Sequence, residues 1–231
     1  MVAPPIHPSM DLTDIAFRIE PILNLRTGIS DSCEWLLDHK PLPSAPTEWL
    51  QVYLALSHYV PMSQQWPVAI NVSSRLLNHR DIGAVIRSIA MKMSEQKKRL
   101  ILEWTEDMDG AASDHESAAR RLLMIREEFR AELSIDDAGS PGLDSVWRME
   151  AIAPEWVKID GKFFHGATKN NPSALSNMCR LLETAREYKA KTIIEWVETT
   201  EQLDIAKECG ADYAQGFLFK KPFSIVDHFS L

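Results

Sequence analysis

Short apolar and β-branched runs alternate with longer amphipathic stretches along almost the whole chain. The runs occupy 15–25, 32–37, 67–73, 99–106, 131–137, 155–160, 191–198 and 213–219. Stretches with helical spacing fall at 47–58, 81–96, 114–130, 143–151, 172–188 and 201–208. In the third of these, Ala118, Leu122, Ile125 and Phe129 recur at intervals of three and four, the spacing of one helix face. Asp81 and Asp114 are predicted to cap the N-termini of their helices, and Gly210 to stop the last one. About eight strands with five or six helices between them predict an α/β fold with a mostly parallel sheet. The first two runs, joined through Arg26-Thr27-Gly28, predict a hairpin, so the first strand is expected to run antiparallel. The Pro-rich piece 41–46 is too short to join two domains, and no internal repeat or low-complexity stretch breaks the pattern. The expected architecture is one TIM-like (β/α)8 barrel, a single domain over 1–231 with its core at about 15–222.

Composition narrows the function. The chain has 231 residues, enough to bury a core without disulfide or metal staples. Its formal net charge of −8 lacks the footprint of a protein that binds polymeric nucleic acid or anionic membranes. No apolar run approaches the roughly 18 residues of a membrane span. The opening MVAPPIHPSM has neither the basic cluster nor the apolar core of a secretory signal. Three cysteines with no C-x-x-C spacing fit reduced thiols, and a cytoplasmic protein is expected.

The chemistry-bearing residues recur near the C-terminal ends of the strand-like runs. They are Glu34, Asn71, Glu103, Asp136 with Asp137, Lys158, Glu195 and Gln215, about one per βα unit. In a barrel those ends converge on one mouth, where active sites form. A lone polar residue there is usually a cap or turn residue. Five carboxylates with an Asn, a Gln and a Lys, in register, are not explained that way. Carboxylates packed so closely repel one another unless cations offset them, and all-oxygen donors suit Mg²⁺ or Mn²⁺ rather than zinc. The seven histidines show no zinc-ligand spacing, and only His39 lies near one of these ends. No P-loop, dinucleotide fingerprint or nucleophile elbow occurs. Successive strand residues point to opposite faces, so Asp136 and Asp137 serve one site only where the strand gives way to a loop; the following Ala-Gly-Ser-Pro-Gly predicts that break. Asp136 then bridges two cations, the arrangement that clamps the attacking and leaving oxygens of a displacement at phosphorus.

These residues come in a familiar order. Glu34-Trp35-Leu36, Asn71-Val72-Ser73, Glu103-Trp104-Thr105-Glu106, Asp136-Asp137-Ala138-Gly139, Lys158-Ile159-Asp160, Glu195-Trp196-Val197-Glu198 and Gln215-Gly216-Phe217 resemble the successive motifs of the EAL-domain family of cyclic di-GMP phosphodiesterases. The resemblance runs from about residue 15 to 222, and that family's barrel also has one antiparallel strand. It implies that Glu34, Asn71, Glu103 and Asp136 hold a first metal, and that Asp136, Asp137 and Glu195 hold a second. It implies that Lys158 orients the attacking water and Gln215 supports the water network. Glu198 would anchor the loop after Asp137, which in the family leads to a homodimer interface. Glu20, Leu36, Asp38 and Gln215 would contact the dinucleotide. The implied reaction is hydrolysis of one phosphodiester of cyclic di-GMP to linear pGpG, with two Mg²⁺ or Mn²⁺ ions per site.

The departures from the family pattern cluster around ligand binding. Glu20 stands where Gln is frequent and Asp38 where Arg is frequent, and both changes are expected to weaken attraction for phosphate. The stretch between Glu34 and Asn71 is shorter than in the family. Trp35 and Trp196 stand where Ala and Gly are usual; stacking on a guanine is one role open to these tryptophans, but alternation favours the other, pointing them, like Trp104, away from the barrel interior into the strand–helix layer. Two other functions are open: a cyclic di-GMP receptor or protein-interaction regulator without turnover, and a barrel lyase with Lys158 as Schiff base. Acids around Lys158 would keep it charged, which disfavours the lyase.

Overall fold

The computed structural model describes residues 15–38, 42–63, 67–105, 112–141, 144–169, 171–219 and 223–224. The described residues open with an antiparallel hairpin of β1 (Phe17–Asn24) and β2 (Ser30–Leu37). Asn24 makes its turn, its Oδ1 accepting from the backbone N–H groups of Arg26 and Thr27. Then follow α1 (Pro46–Tyr59), β3 (Val68–Ser73), α2 (Ser74–Asn78), α3 (Arg80–Glu95), β4 (Leu100–Thr105), α4 (Ala112–Phe129) and β5 (Glu132–Ala138). The second half carries α5 (Ser145–Ile152), β6 (Trp156–Ile159), α6 (Gly161–Thr168), α7 (Pro172–Glu187), β7 (Lys191–Ile194), α8 (Thr200–Glu208), β8 (Tyr213–Ala214) and β9 (Phe223–Ser224).

Strands β2 to β8 pair in parallel, each with the next. β1 closes the ring, antiparallel to β2 on one edge and to β8 on the other, with β9 extending that second edge. The barrel and its one reversed strand are as the sequence predicts.

Period-two alternation sorts the strand residues. Ile22, Ala69, Ile101, Trp156, Ile193 and Tyr213 pack together inside the barrel as one apolar layer. Two residues further along the parallel strands come Asn71, Glu103, Lys158, Glu195 and Gln215, and two residues back on antiparallel β1 comes Glu20. The polar layer therefore sits on a buried apolar plug. The neighbours of opposite parity, among them Val72, Trp104, Ile135 and Ile159, join the larger core between strands and helices. Trp35 packs there on Phe17 with ring centroids 5.9 Å apart, and Trp104 on Trp147 at 6.0 Å, the outward placement expected of both.

Helix boundaries differ from expectation in instructive ways. The cap of α3 is His79, whose Nδ1 accepts from Ile82 N–H, so Asp81 sits inside the first turn and favours the helix through the dipole. Asp114 likewise lies within the first turn of α4. Gly210 does end α8, at φ +77°. Two short helices come in addition to the expected ones: α2 is capped by Ser73, and α6 by Asp160, which accepts from Phe163 N–H at 2.6 Å. Leu143, His39 and the edge of the expected core at 222 lie outside the described residues. Among the described residues no helix is long and apolar enough to cross a membrane.

Candidate active site

Lys158, on the short strand β6, is the centre of the polar layer. Its Nζ lies 2.7 Å from Glu195, 3.0 Å from Glu34, 3.1 Å from Glu103 and 3.2 Å from Asp136. Four strands thus deliver one carboxylate each to a single buried ammonium. Burial alone would push Lys158 down, but Asp136, Glu103, Glu195 and Glu34 outweigh it and hold the ammonium charged, well above its ordinary value. A lysine so held is no Schiff-base nucleophile.

Four carboxylates against one ammonium leave the cluster short of positive charge, and the carboxyls respond unequally. Burial favours the neutral form of Glu34, yet the charge of Lys158 and hydrogen bonds from Gln215, Asn71 and Lys158 hold it well below the usual carboxylate range. Burial, with repulsion from Glu34 and Asp136, pushes Glu103 and Glu195 well above that range, with Lys158 countering only in part.

Asn71 donates its Nδ2 to Glu34 at 2.8 Å, while its buried Oδ1 accepts no hydrogen bond. Gln215 donates Nε2 to Glu34 at 2.8 Å and to Glu20 at 3.1 Å, and its buried Oε1 is also without a donor. An orphaned buried acceptor is costly unless something positive or protic meets it.

The Asp136–Asp137 pair reaches one site by a different device from the one expected. β5 does not end at Asp137 but runs on to Ala138, and its register with β6 slips between Ile135 and Ala138. Asp137 sits in this bulge at φ +53°, which turns its carboxylate to the side of its neighbour's. Oxygens of Asp136, Asp137 and Glu195 lie within 4.8 Å of one another. With the orphaned Asn71 oxygen and the surplus negative charge, this donor set fits divalent cations with oxygen preference.

Above the cluster opens a cavity of about 630 Å³. Glu20, Glu34, Leu36, Asn71, Asp136, Asp137, Lys158, Glu195, Glu198 and Gln215 all line it, whereas Glu103 is buried beneath. Asp38 is not brought here: β2 ends at Leu37, and Asp38 is exposed with its N–H on Ala16 O. Glu198 lies exposed on the rim. The described part of the loop after Asp137 is steadied by Ser145 Oγ, which accepts from Gly139 N–H at 3.2 Å.

One expectation is overturned. Trp196 does not point into the strand–helix layer: it lines the cavity and is 48% exposed, because β7 ends at Ile194 and strand alternation ends with it. Five further lining residues, Arg18, Pro21, Thr105, Gly216 and Phe217, have no role assigned from sequence. Arg18 and Thr105 follow from parity, two residues from Glu20 and Glu103; Phe217 carried only its place beside Gln215-Gly216.

Residues 50–222 match the family model of the EAL domain, and the chain belongs to that family. The match begins after Glu34-Trp35-Leu36, yet the fold brings Glu34 to the same cluster. The cyclic di-GMP phosphodiesterase PdeF of Escherichia coli (strain K12) is 28% identical over 161 residues, covering 69% of this chain and 21% of PdeF. Protein y4lL of Sinorhizobium fredii is 27% identical over 228 residues, covering 90% of this chain and 27% of that protein. The chain therefore spans only about a quarter of the length of these relatives. Among solved structures, the cGMP-bound EAL enzyme Bd1971 superposes with a TM-score of 0.76 at 20% identity, covering 91% of this chain and 62% of that one. The Bacillus subtilis YkuI protein, in complex with cyclic di-GMP and calcium, superposes at 0.74 with 19% identity, covering 92% and 56%. At these identities the superpositions establish the shared barrel.

Proposed function

We propose that this chain hydrolyses one phosphodiester bond of cyclic di-GMP to give linear pGpG. The observation that carries the reading is the convergence of Glu34, Glu103, Asp136 and Glu195 on Lys158, beside an orphaned Asn71 oxygen. In this reading Glu34, Asn71, Glu103 and Asp136 would hold one Mg²⁺ or Mn²⁺, and Asp136, Asp137 and Glu195 would hold a second. When bound, such cations supply Lewis acidity toward phosphoryl oxygen and make water a nucleophile at neutral pH. Lys158 orients the attacking water and offsets charge on the phosphate. Gln215 lends its free Oε1 to the water network. Glu198 anchors the rim of the loop after Asp137, which leads to a homodimer contact. Water oxygen bonds to phosphorus, one P–O ester bond breaks, and the departing ribose oxygen takes the proton. Leu36 and Glu20 flank the ligand. Cys33, Cys179 and Cys209 are free thiols, which suits a cytoplasmic setting.

A second reading is a cyclic di-GMP receptor or regulator without turnover. It is favoured by Glu20, an acid on the cavity wall where the family commonly has Gln. Incubation with cyclic di-GMP and Mn²⁺, followed by chromatography, separates the two: pGpG supports the enzyme, and intact bound ligand with every divalent cation supports the receptor.

A further inference from the structure

Trp196 is held at a price that packing does not explain. Its backbone adopts φ +56°, a left-handed conformation that costs an L residue stability and that glycine takes freely. Its indole rests directly on Gly161, where an added Cβ would come within 2.2 Å of the ring. His165 Nε2 donates to Trp196 O at 2.8 Å, and the two rings meet edge to face with centroids 6.1 Å apart. The ring is thus propped from behind, while about half of the residue stays exposed on the cavity. Strain of this kind, kept without the return of full burial, is found at ligand clamps.

A second aromatic stands on the same rim. Phe217 is 70% exposed and lines the same cavity. Its segment is laced to that of Trp196: Val197 N–H donates to Gln215 O at 3.0 Å, and Leu218 N–H to Val197 O at 3.1 Å. Gly216 makes this lacing possible, since a Cβ there would come within 2.4 Å of Val197 N. Below the two rings lies the acidic cluster. The cavity therefore offers a cation-binding floor for a phosphate and an aromatic rim for a flat base.

We infer that Trp196, with Phe217 beside it, is a stacking platform for one nucleobase of the ligand and sets affinity at this site. The inference rests on the proposed cyclic di-GMP site and assigns a residue where the family usually has glycine. Stacking on an indole accepts either purine, so the platform adds affinity, while base edges are read elsewhere.

Calorimetric titration with cyclic di-GMP in the presence of Ca²⁺ tests it on wild type, Trp196→Gly, Trp196→Phe and Phe217→Ala. Glycine suits the left-handed backbone, so Trp196→Gly is expected to fold. Its affinity is expected to fall about 10-fold or more, the scale for one lost base stack, and Trp196→Phe to recover most of that. Phe217→Ala, a truncation at an exposed position, is expected to lose about 3-fold or more. Affinity within about 2-fold of wild type in both Trp196→Gly and Phe217→Ala overturns the platform and leaves the proposed function standing. Equal losses in Trp196→Gly and Trp196→Phe overturn it as well, since both would then report on something other than a flat ring. Wild type that binds no cyclic di-GMP with any divalent cation overturns the proposed function and the platform together.

Discussion

On β1, Glu20 accepts from Arg18 Nε at 2.9 Å and from Gln215 Nε2 at 3.1 Å, so its charge is shared before any phosphate arrives. Its penalty for an anionic ligand is that of a half-screened carboxylate, about 1 kcal/mol. Glu20→Gln is expected to tighten cyclic di-GMP by roughly five-fold in calorimetry, by removing that charge and releasing Arg18 to the cavity. The same measurement on Asp38→Asn is expected to show no change, because Asp38 lies outside the cavity. An equal gain at both positions would contradict this placement. The two acids look alike in sequence, where Glu34, Leu36 and Asp38 share one parity. Only the end of β2 at Leu37 separates them, and nothing in the residue string marks it. Trp196 was misplaced for the same reason, as Trp suits a strand and gives no sign that β7 has already stopped. Glu34, Asn71, Glu103 and Lys158 are legible because each lies within its strand, where parity holds; Glu195, one residue past β7, reaches the cluster all the same.

At the scale of elements, the site depends on how β4 and β5 are held together at their C-terminal ends. Arg148 of α5 is 4% exposed and does this from behind the barrel. Its guanidinium donates to Asp136 O at 3.0 Å and to Trp104 O, and lies over the Trp104 ring at 5.0 Å. Both carbonyls adjoin or belong to proposed metal ligands. Arg148→Ala leaves one buried and one part-buried acceptor without this donor and opens a cavity, and is expected to destabilise the fold by about 2–4 kcal/mol in urea denaturation. A loss under about 0.5 kcal/mol, the scale of an ordinary surface change, would show that the contact does not hold the strands. Long helices such as α3 and α4 could be read from their apolar spacing. The five residues of α2 span little more than one turn, too few for a period to show, and only its cap Ser73 betrays it. The sequence predicts that the strand gives way to a loop at Asp137, where the structure has a bulge within β5; a one-residue register slip leaves no compositional trace beyond the Gly that follows.

For the whole molecule, the barrel was countable from alternating segments, but its energetics depend on a charge imbalance that appears only on closure. Glu103 and Glu195 titrate higher in the folded protein than in the unfolded chain. The stability each contributes is full below the ordinary carboxylate value, and is lost as pH rises through the raised one. Glu34 acts oppositely, contributing above its ordinary value and losing that only as pH falls toward its lowered one. Metal-free protein is therefore expected to melt earlier as pH rises from about 5 to about 8. Divalent cations compete with the protons on Glu103 and Glu195, so the rise in Tm with Mg²⁺ or Mn²⁺ is expected to grow over the same interval. At a cation concentration about 100 times Kd the stabilisation is about 2.7 kcal/mol, or several degrees for a domain of this size. Differential scanning fluorimetry across pH checks this, and a metal-induced shift that is flat or shrinks with pH would contradict it.

Phosphodiester hydrolysis by the acid cluster around Lys158 is best tested by pGpG release from wild type and Lys158→Ala side by side with cyclic di-GMP and Mn²⁺. Wild type is expected to release pGpG, and the variant to lose roughly 10²–10³-fold in kcat, the scale for removing one preorganised donor. Because a protonated lysine offers no lone pair to a cation, metal affinity measured in parallel is expected to survive. Release of pGpG at equal rates by both proteins, or by neither with any divalent cation, would contradict this role of the cluster.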